Sequence, residues 1–235
     1  QIARIASEQQ LALNVRLCIT GGEALTSEHV NAIRAAFRPA DFFNAYGPTE
    51  TVVMPLAHRV ADELAAEASA IPIGGIIGDR HAVILDTSLA LVPQGADGEL
   101  YVGGASLARG YHQRPGLTAE RFVPDPFAAQ GGRLYRTGDL VRLRKDQQVD
   151  YVGRVDYQVK IRGFRIELGE IEMQLRQWRD VQDAGVLVID ATSGKQLVAY
   201  LASPMYAVDE TGREDWLEQL KQQLRAQLPD YMVPA

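Results

Sequence analysis

The stretch from Gly153 to Glu172, GRVDYQVKIRGFRIELGEIE, constrains the chain more than any other. Val155, Tyr157, Val159 and Ile161 alternate with Asp156, Gln158, Lys160 and Arg162, a period of two that predicts a half-buried strand. Gly163 breaks the alternation where the chain can turn. Beyond it, Leu168, Ile171, Leu175 and Trp178 recur at helical spacing, with Glu167, Glu170 and Glu172 near the helix start, where carboxylates suit the dipole. A strand with a polar row, a glycine and an acid-started helix read as a junction.

Composition bounds what the junction joins. A chain of 235 residues can hold one large domain or a large and a small one, and 46% hydrophobic with 23% charged residues is ordinary for a globular protein with a real core. The net charge of −6 gives no reason to expect nucleic acid or an anionic membrane as partner. A single cysteine, Cys18, excludes an internal disulfide framework and, within Val15-Arg16-Leu17-Cys18-Ile19, reads as a core residue. No apolar run approaches the roughly 18 residues of a spanning helix, and the N-terminus lacks a basic-then-apolar signal layout, so a cytoplasmic protein is expected.

In chain order, residues 1–14 are helix-like, and Val15–Thr20 is an apolar run ending in Gly21-Gly22, the pattern of a buried parallel strand before a tight turn. A helix opens at Ser27 and closes by Pro39, and a second strand, Phe42–Tyr46, breaks at Gly47-Pro48. Strand, helix, strand predicts an α/β sheet, whose ligands bind beyond the carboxyl ends of the strands. Residues 61–70 read as a surface helix or loop. Ala82–Leu85, Leu91-Val92 and Glu99–Val102 then suggest a small β-barrel or antiparallel sheet, and Arg109–Phe127, with three prolines, a surface excursion. Strands are expected at Gly185–Ile189 and Leu197–Leu201, and a helix at Glu214–Ala226 with Trp216, Leu217, Leu220 and Leu224 on one face. The boundary falls at Asp156, dividing 1–155 from a small α+β unit, 156–235.

Three separated turns share a chemistry. Asn44-Ala45-Tyr46-Gly47-Pro48-Thr49-Glu50 offers an aromatic plane, a hydroxyl and a carboxylate, the groups that stack a base, bond a phosphate and hold Mg²⁺. Asp139, after Thr137-Gly138, is a carboxylate suited to a ribose diol, and Arg154 is a cation for a phosphate. Taken singly each has an ordinary reading: Tyr46 as core, Asp139 as a turn former, Arg154 as a solvated charge.

Together with Gly22-Glu23-Ala24-Leu25, GELYVGGASLARGY at 98–111, YRTGDL at 135–140 and LPDYMVP at 228–234, these motifs resemble the adenylation domain of nonribosomal peptide synthetases, of the adenylate-forming superfamily. The resemblance runs from Leu17 onward. It implies an α/β fold, namely the C-terminal part of a large adenylate-forming core (parallel α/β sheet plus small β-barrel) followed by a small α+β subdomain. It implies activation of an amino acid by ATP as an aminoacyl adenylate, then transfer to the phosphopantetheine thiol of a carrier protein. By the resemblance, Gly22, Glu23 and Ala24 line the site with backbone; Asn44 and Ala45 border the adenine, Tyr46 stacks on it within the Gly47 turn, Thr49 contacts phosphate and Glu50 holds Mg²⁺. Asp139 binds the ribose, Tyr151 flanks the nucleotide, Arg154 lies near ribose and phosphate, Asp156 is a hinge, and Lys160 and Gly163 act in thioester formation. Ile19, Gly21, Ala45, Val53 and Met54 line the amino-acid pocket, all small or apolar, which favours a neutral side chain. Partners implied are a carrier and a condensation domain, with a small accessory protein in some family members.

The family's phosphate loop, its amine-binding aspartate and its final lysine are not in this sequence, so the chain alone is expected to be inactive in adenylation. Ser193-Gly194-Lys195 resembles that last motif superficially but reads as a hairpin turn. The competing readings are a free-standing acyl- or aryl-CoA ligase and a non-catalytic interaction fragment. Pro48 and the ELGEIE helix start favour the peptide-synthetase branch, and the intact nucleotide-contacting residues argue against the non-catalytic reading.

Overall fold

A computed structural model describes residues 5, 6, 9, 13–62, 70–128, 131–156, 158–161, 163–191, 194–207 and 210–235. Most of the expected 1–14 and 61–70 segments, and Tyr157, Arg162 and Ser193, lie outside these residues. The chain divides into two compact units, Gln1–Asp156 and Tyr157–Ala235.

The first unit opens with strand β1 (Leu17–Gly21), helix α1 (Ser27–Phe37) and strand β2 (Asp41–Tyr46), with β1 and β2 parallel. Helix α1 starts where expected because Thr26 caps it, its hydroxyl accepting the His29 N–H, and it ends with Arg38 in the left-handed region before Pro39. Its buried Val30 packs with Leu25, Phe42, Val60 and Ile71, and Cys18 packs partly against this cluster. Strands β3 (Leu56–Arg59) and β4 (Gly75–Ile76) complete a four-stranded sheet in the order β1-β2-β3-β4. Strand β1 departs from the expected buried strand: Leu17 and Ile19 share one face and each is about half exposed. Burial on both faces needs a covering layer, and that face of β1 has none among the described residues.

The β-rich texture after Ile73 becomes an antiparallel sheet of β5 (Arg80–Leu85), β6 (Asp97–Gly104), β7 (Phe122–Pro124), β8 (Arg133–Leu143) and β9 (Val149–Arg154). The expected surface excursion contains helix α2 (Pro115–Arg121) and β7, which pairs with β8. Pro115 misleads as a breaker; at the first turn of a helix it costs no hydrogen bond. Tyr46 and Leu56 from the first sheet pack with Leu100, Val102, Val141 and Val149 from the second, all nearly inaccessible. This shared core brings the end of β2 to the middle of β8.

The second unit holds the hairpin β10 (Gln158–Ile161) and β11 (Phe164–Glu167), helix α3 (Leu168–Arg176), the hairpin β12 (Asp183–Ala191) and β13 (Gly194–Ala202), and helix α4 (Glu210–Gln227). Gly163, at φ +82°, makes the turn into β11, a strand hidden in the sequence between the glycine and the helix. Ile166, Ile171, Leu175, Val186, Leu197, Leu220 and Leu224 form its core. Phe164 stacks on Tyr231 of the Leu-Pro-Asp-Tyr-Met-Val-Pro segment, with ring centroids 4.0 Å apart.

Candidate functional site

Tyr46 ends β2 with its ring in the shared core, only 6% exposed, and its hydroxyl donates to Asp139 Oδ2. Arg154 faces Asp139 across the β8–β9 ladder and donates from Nη1 to Asp139 Oδ1 at 2.7 Å. Its Nε donates to Asp156 Oδ1 at 2.6 Å, and its Nη2 to Asp156 Oδ2 at 2.8 Å and to Thr137 O at 3.3 Å. Arg121 stands 3.7 Å from the same Asp156 carboxylate. Three sequence motifs far apart in the chain thus close into one array, Tyr46–Asp139–Arg154–Asp156. The paired, forked geometry is what guanidinium groups do best with carboxylates.

The array shifts its members' proton affinities. Burial first, then the Asp139 carboxylate, pushes the Tyr46 phenol well above its usual range. Burial and then Asp139 push Tyr151, on β9, up to about 12. Burial opposes the Arg154 charge, but Asp156 and Asp139 outweigh it and hold the guanidinium more firmly protonated than usual.

The Thr137-Gly138-Asp139 turn is a bulge inside a long strand. Between Glu99 and Tyr101 on β6, the opposing β8 residues run from Leu140 to Arg136, so Thr137, Gly138 and Asp139 all lie opposite Leu100. Gly138 takes φ +74°, and a Cβ there would sit 2.6 Å from Arg154 Nη2 and 2.8 Å from Asp156 Oδ2. Backbone conformation and space both demand glycine. Thr137 is buried, donates its hydroxyl to Leu100 O at 2.7 Å and accepts the Asp139 N–H at 3.0 Å. Thr137 and Glu99, which binds the Gly138 N–H at 3.1 Å, were not among the expected site residues. The available signal was an acid and a hydroxyl placed among the apolar residues of two adjoining strands.

The remaining site residues take varied positions. Asn44 is buried and donates its carboxamide to Pro72 O at 2.8 Å, so its side chain braces the segment leading to β4. Thr49, Glu50 and Thr51 form a single 3₁₀ turn, with Thr49 exposed and Glu50 buried. Glu50 accepts the Tyr111 hydroxyl at 2.7 Å, and its carbonyl accepts the Ala108 N–H at 2.8 Å. The Ala108–Tyr111 part of the GELYVGGASLARGY motif therefore holds the Glu50 turn. Gly47 cannot carry a side chain, since a Cβ would fall 2.0 Å from Pro55 and 2.5 Å from Val53 O. Gly22 turns at φ +93° after β1, with Glu23 and Ala24 exposed beyond it.

Among the expected pocket residues, Gly21 and Ala45 are register partners and so closely apposed that a Cβ on Gly21 would lie 2.5 Å from Ala45 O. Ile19 shares the β1 face with Gly21, and Val53 is exposed at φ +65° beside Met54. A β-branched residue in the left-handed region is strained, and such strain gathers at functional turns. Lys160 and Gly163 belong to the second unit, where Lys160 pairs with Arg165 across the β10–β11 hairpin.

A metal fits this chemistry in one way. No group of three or more His, Cys, Asp or Glu is placed to hold an ion among the described residues. Glu50 alone, oriented by Tyr111, suits Mg²⁺, which keeps several waters and takes one or two carboxylates plus phosphate oxygens. No helix among the described residues is long and apolar enough to cross a membrane.

The profile of the family described as AMP-binding enzyme matches residues 2–112. That is just under half of the chain, which over this part is similar to AMP-binding enzymes. Tyrocidine synthase 3 of Brevibacillus parabrevis is 43% identical over 222 residues, covering 94% of this chain and 3% of that protein. A solved nonribosomal peptide synthetase protein containing adenylation and PCP domains matches with TM-score 0.76 and 30% identity, over 93% of this chain and 42% of that one. The Vibrio cholerae adenylation domain AlmE, solved in complex with glycyl-adenosine-5′-phosphate, matches with TM-score 0.80 and 25% identity, over 99% of this chain and 44% of that one. The chain therefore spans under half of either solved relative and a small part of the curated one.

Proposed function

We propose that this chain supplies the ribose- and phosphate-facing half of an adenylation site in a nonribosomal peptide synthetase. There an amino acid and ATP form aminoacyl-AMP and pyrophosphate, and the aminoacyl group then passes to a carrier-domain phosphopantetheine thiol as a thioester, with AMP as the leaving group. The observation that supports this most is the Tyr46–Asp139–Arg154–Asp156 array, in a chain 43% identical to tyrocidine synthase 3.

In this reading Asp139 accepts the ribose hydroxyls. An ionised carboxylate has about four acceptor sites, and Tyr46 and Arg154 use one each, leaving two for a diol. Arg154 covers Asp139 and, held by Asp156, brings a positive charge near the ribose and phosphate. Tyr46 stacks on the adenine while its hydroxyl orients Asp139, Asn44 and Ala45 border the adenine, the Gly22-Glu23-Ala24 turn lines the site, Tyr151 flanks the nucleotide and Thr49 contacts the phosphate. Glu50 would hold Mg²⁺, which supplies charge neutralisation at the phosphate oxygens. Ile19, Gly21, Ala45, Val53 and Met54 form part of a pocket for a neutral amino-acid side chain. Asp156 is the hinge of a mobile second subdomain, whose Lys160 and Gly163 serve thioester formation. A carrier domain is the partner, with a condensation domain and, in some assemblies, an accessory protein beside it.

The test is amino-acid-dependent ATP–pyrophosphate exchange by the full-length protein, followed by mass-spectrometric loading of a carrier. Exchange with neutral amino acids, a loss of at least about 100-fold in kcat/KM in Asp139→Ala, and carrier rather than CoA loading are expected. Exchange indifferent to Asp139→Ala would sink the reading.

A further inference from the structure

We propose that Glu99 is a positioning residue for the nucleotide: it holds the Thr137–Asp139 bulge in the shape that presents the Asp139 carboxylate. The inference rests on the reading of Asp139 as the ribose acceptor. Glu99 lies on β6 with its side chain only 10% exposed. Its Oε1 accepts the Gly138 N–H at 3.1 Å and the Arg136 Nε–H at 2.9 Å. Its Oε2 lies 3.1 Å from the same Nε and 3.4 Å from the Tyr101 hydroxyl.

The bulge explains why an acid belongs there. Three residues opposite Leu100 cannot all join the ladder, and the Gly138 N–H is the donor that the bulge turns away from it. A buried N–H needs an acceptor, and a carboxylate is the strongest one available. A buried carboxylate in turn needs its own charge met, which Arg136 does. The Gly138 carbonyl accepts the Val155 N–H at 2.9 Å, so this one residue links Glu99 to the strand end that carries Arg154. A change at Glu99 therefore moves Asp139 and its arginine together, while β1, the Thr49–Thr51 turn and the amino-acid pocket stay where they are.

The experiment compares Glu99→Gln, Glu99→Ala, Asp139→Ala and the Glu99→Ala/Asp139→Ala double variant in the full-length protein. It reads KM for ATP, KM for the amino acid, and the preference for ATP over 2′-deoxy-ATP in pyrophosphate exchange. Glu99→Gln keeps an oxygen for Gly138 and is expected within about twofold of the parent, whereas Glu99→Ala raises the ATP KM about tenfold. Glu99→Ala leaves the amino-acid KM unchanged, narrows the 2′-deoxy-ATP discrimination, and adds nothing in the double variant beyond Asp139→Ala. If Glu99→Ala melts too low to assay, Arg136→Ala, which loosens the carboxylate without deleting it, must shift the ATP KM alone and in the same direction. A Glu99→Ala that changes both KM values alike, or leaves the discrimination intact while Asp139→Ala abolishes it, overturns the positioning role alone. A discrimination that Asp139→Ala leaves intact removes the ribose reading and this proposal together.

Discussion

At the scale of single residues, chemistry and geometry meet at Gly138. A non-glycine residue at φ +74° costs about 1–3 kcal/mol, and here a Cβ would also push into Arg154 and Asp156. Gly138→Ala should lower stability by at least that amount in denaturant unfolding, and should raise the ATP KM through the displaced guanidinium. Tyr151 makes a prediction about pH. Its folded-state pKa, about 12, lies above the ordinary 10.0, so its contribution is fully present below pH 10 and is lost as pH climbs through 12. Stability followed by urea unfolding should therefore fall between pH 10 and 12, and Tyr151→Phe should fall less steeply. Tyr46, shifted in the same direction, adds to the loss. The motif residues themselves were legible in sequence because they sit at turns, where glycine and short polar side chains stand out. Glu99 was not, because an acid next to a glycine at a strand's start looks like any solvated charge until its partner strand is known.

At the scale of elements, the sequence placed strands and helices well where local signals were strong. The opening of α1 and the β2 breaker each rest on neighbours within a few residues, whereas the alternation predicted from Val155 to Ile161 does not hold: β10 begins only at Gln158, which is buried, and Val155 is half exposed. The sequence missed α2 and β7, hidden behind prolines, and β11, whose four residues between Gly163 and α3 are too short for a periodic signal. The acids at the start of α3 read as dipole partners, yet the structure gives Glu172 another task. Its Oε1 accepts the Val186 N–H at 3.0 Å, tying the helix to β12, while Arg176 bonds Oε2 and Ala184 O. Glu172→Ala should leave the nearly inaccessible Val186 amide without that acceptor, costing about 1–3 kcal/mol, and hydrogen exchange at Val186 should quicken. Unchanged exchange there would mean that packing alone holds α3 to the hairpin.

At the scale of the whole molecule, two compact units make two expectations. Both tryptophans of the chain, Trp178 and Trp216, lie in the second unit, so fluorescence reports it alone while far-ultraviolet circular dichroism reports both. The two unfolding curves should not coincide, and coincident curves would mean a single cooperative unit. In the full-length protein, Asp156→Pro should spare either adenylation or thioester formation while slowing overall turnover. Because Asp156 also clamps Arg154, Asp156→Asn serves as the control that loses the charge and keeps the chain free to turn. The turn at Gly163 and the helical period of α3 were written in the sequence, since both are local properties of the chain. So were the candidate ligands, each on its own turn. What only the tertiary structure decided is which of them meet. The Tyr46–Asp139 bond depends on two sheets sharing a core, and the Asp139–Arg154 pair on a register offset by bulges. Register and packing are set by contacts between residues tens to a hundred positions apart, and no local period encodes them.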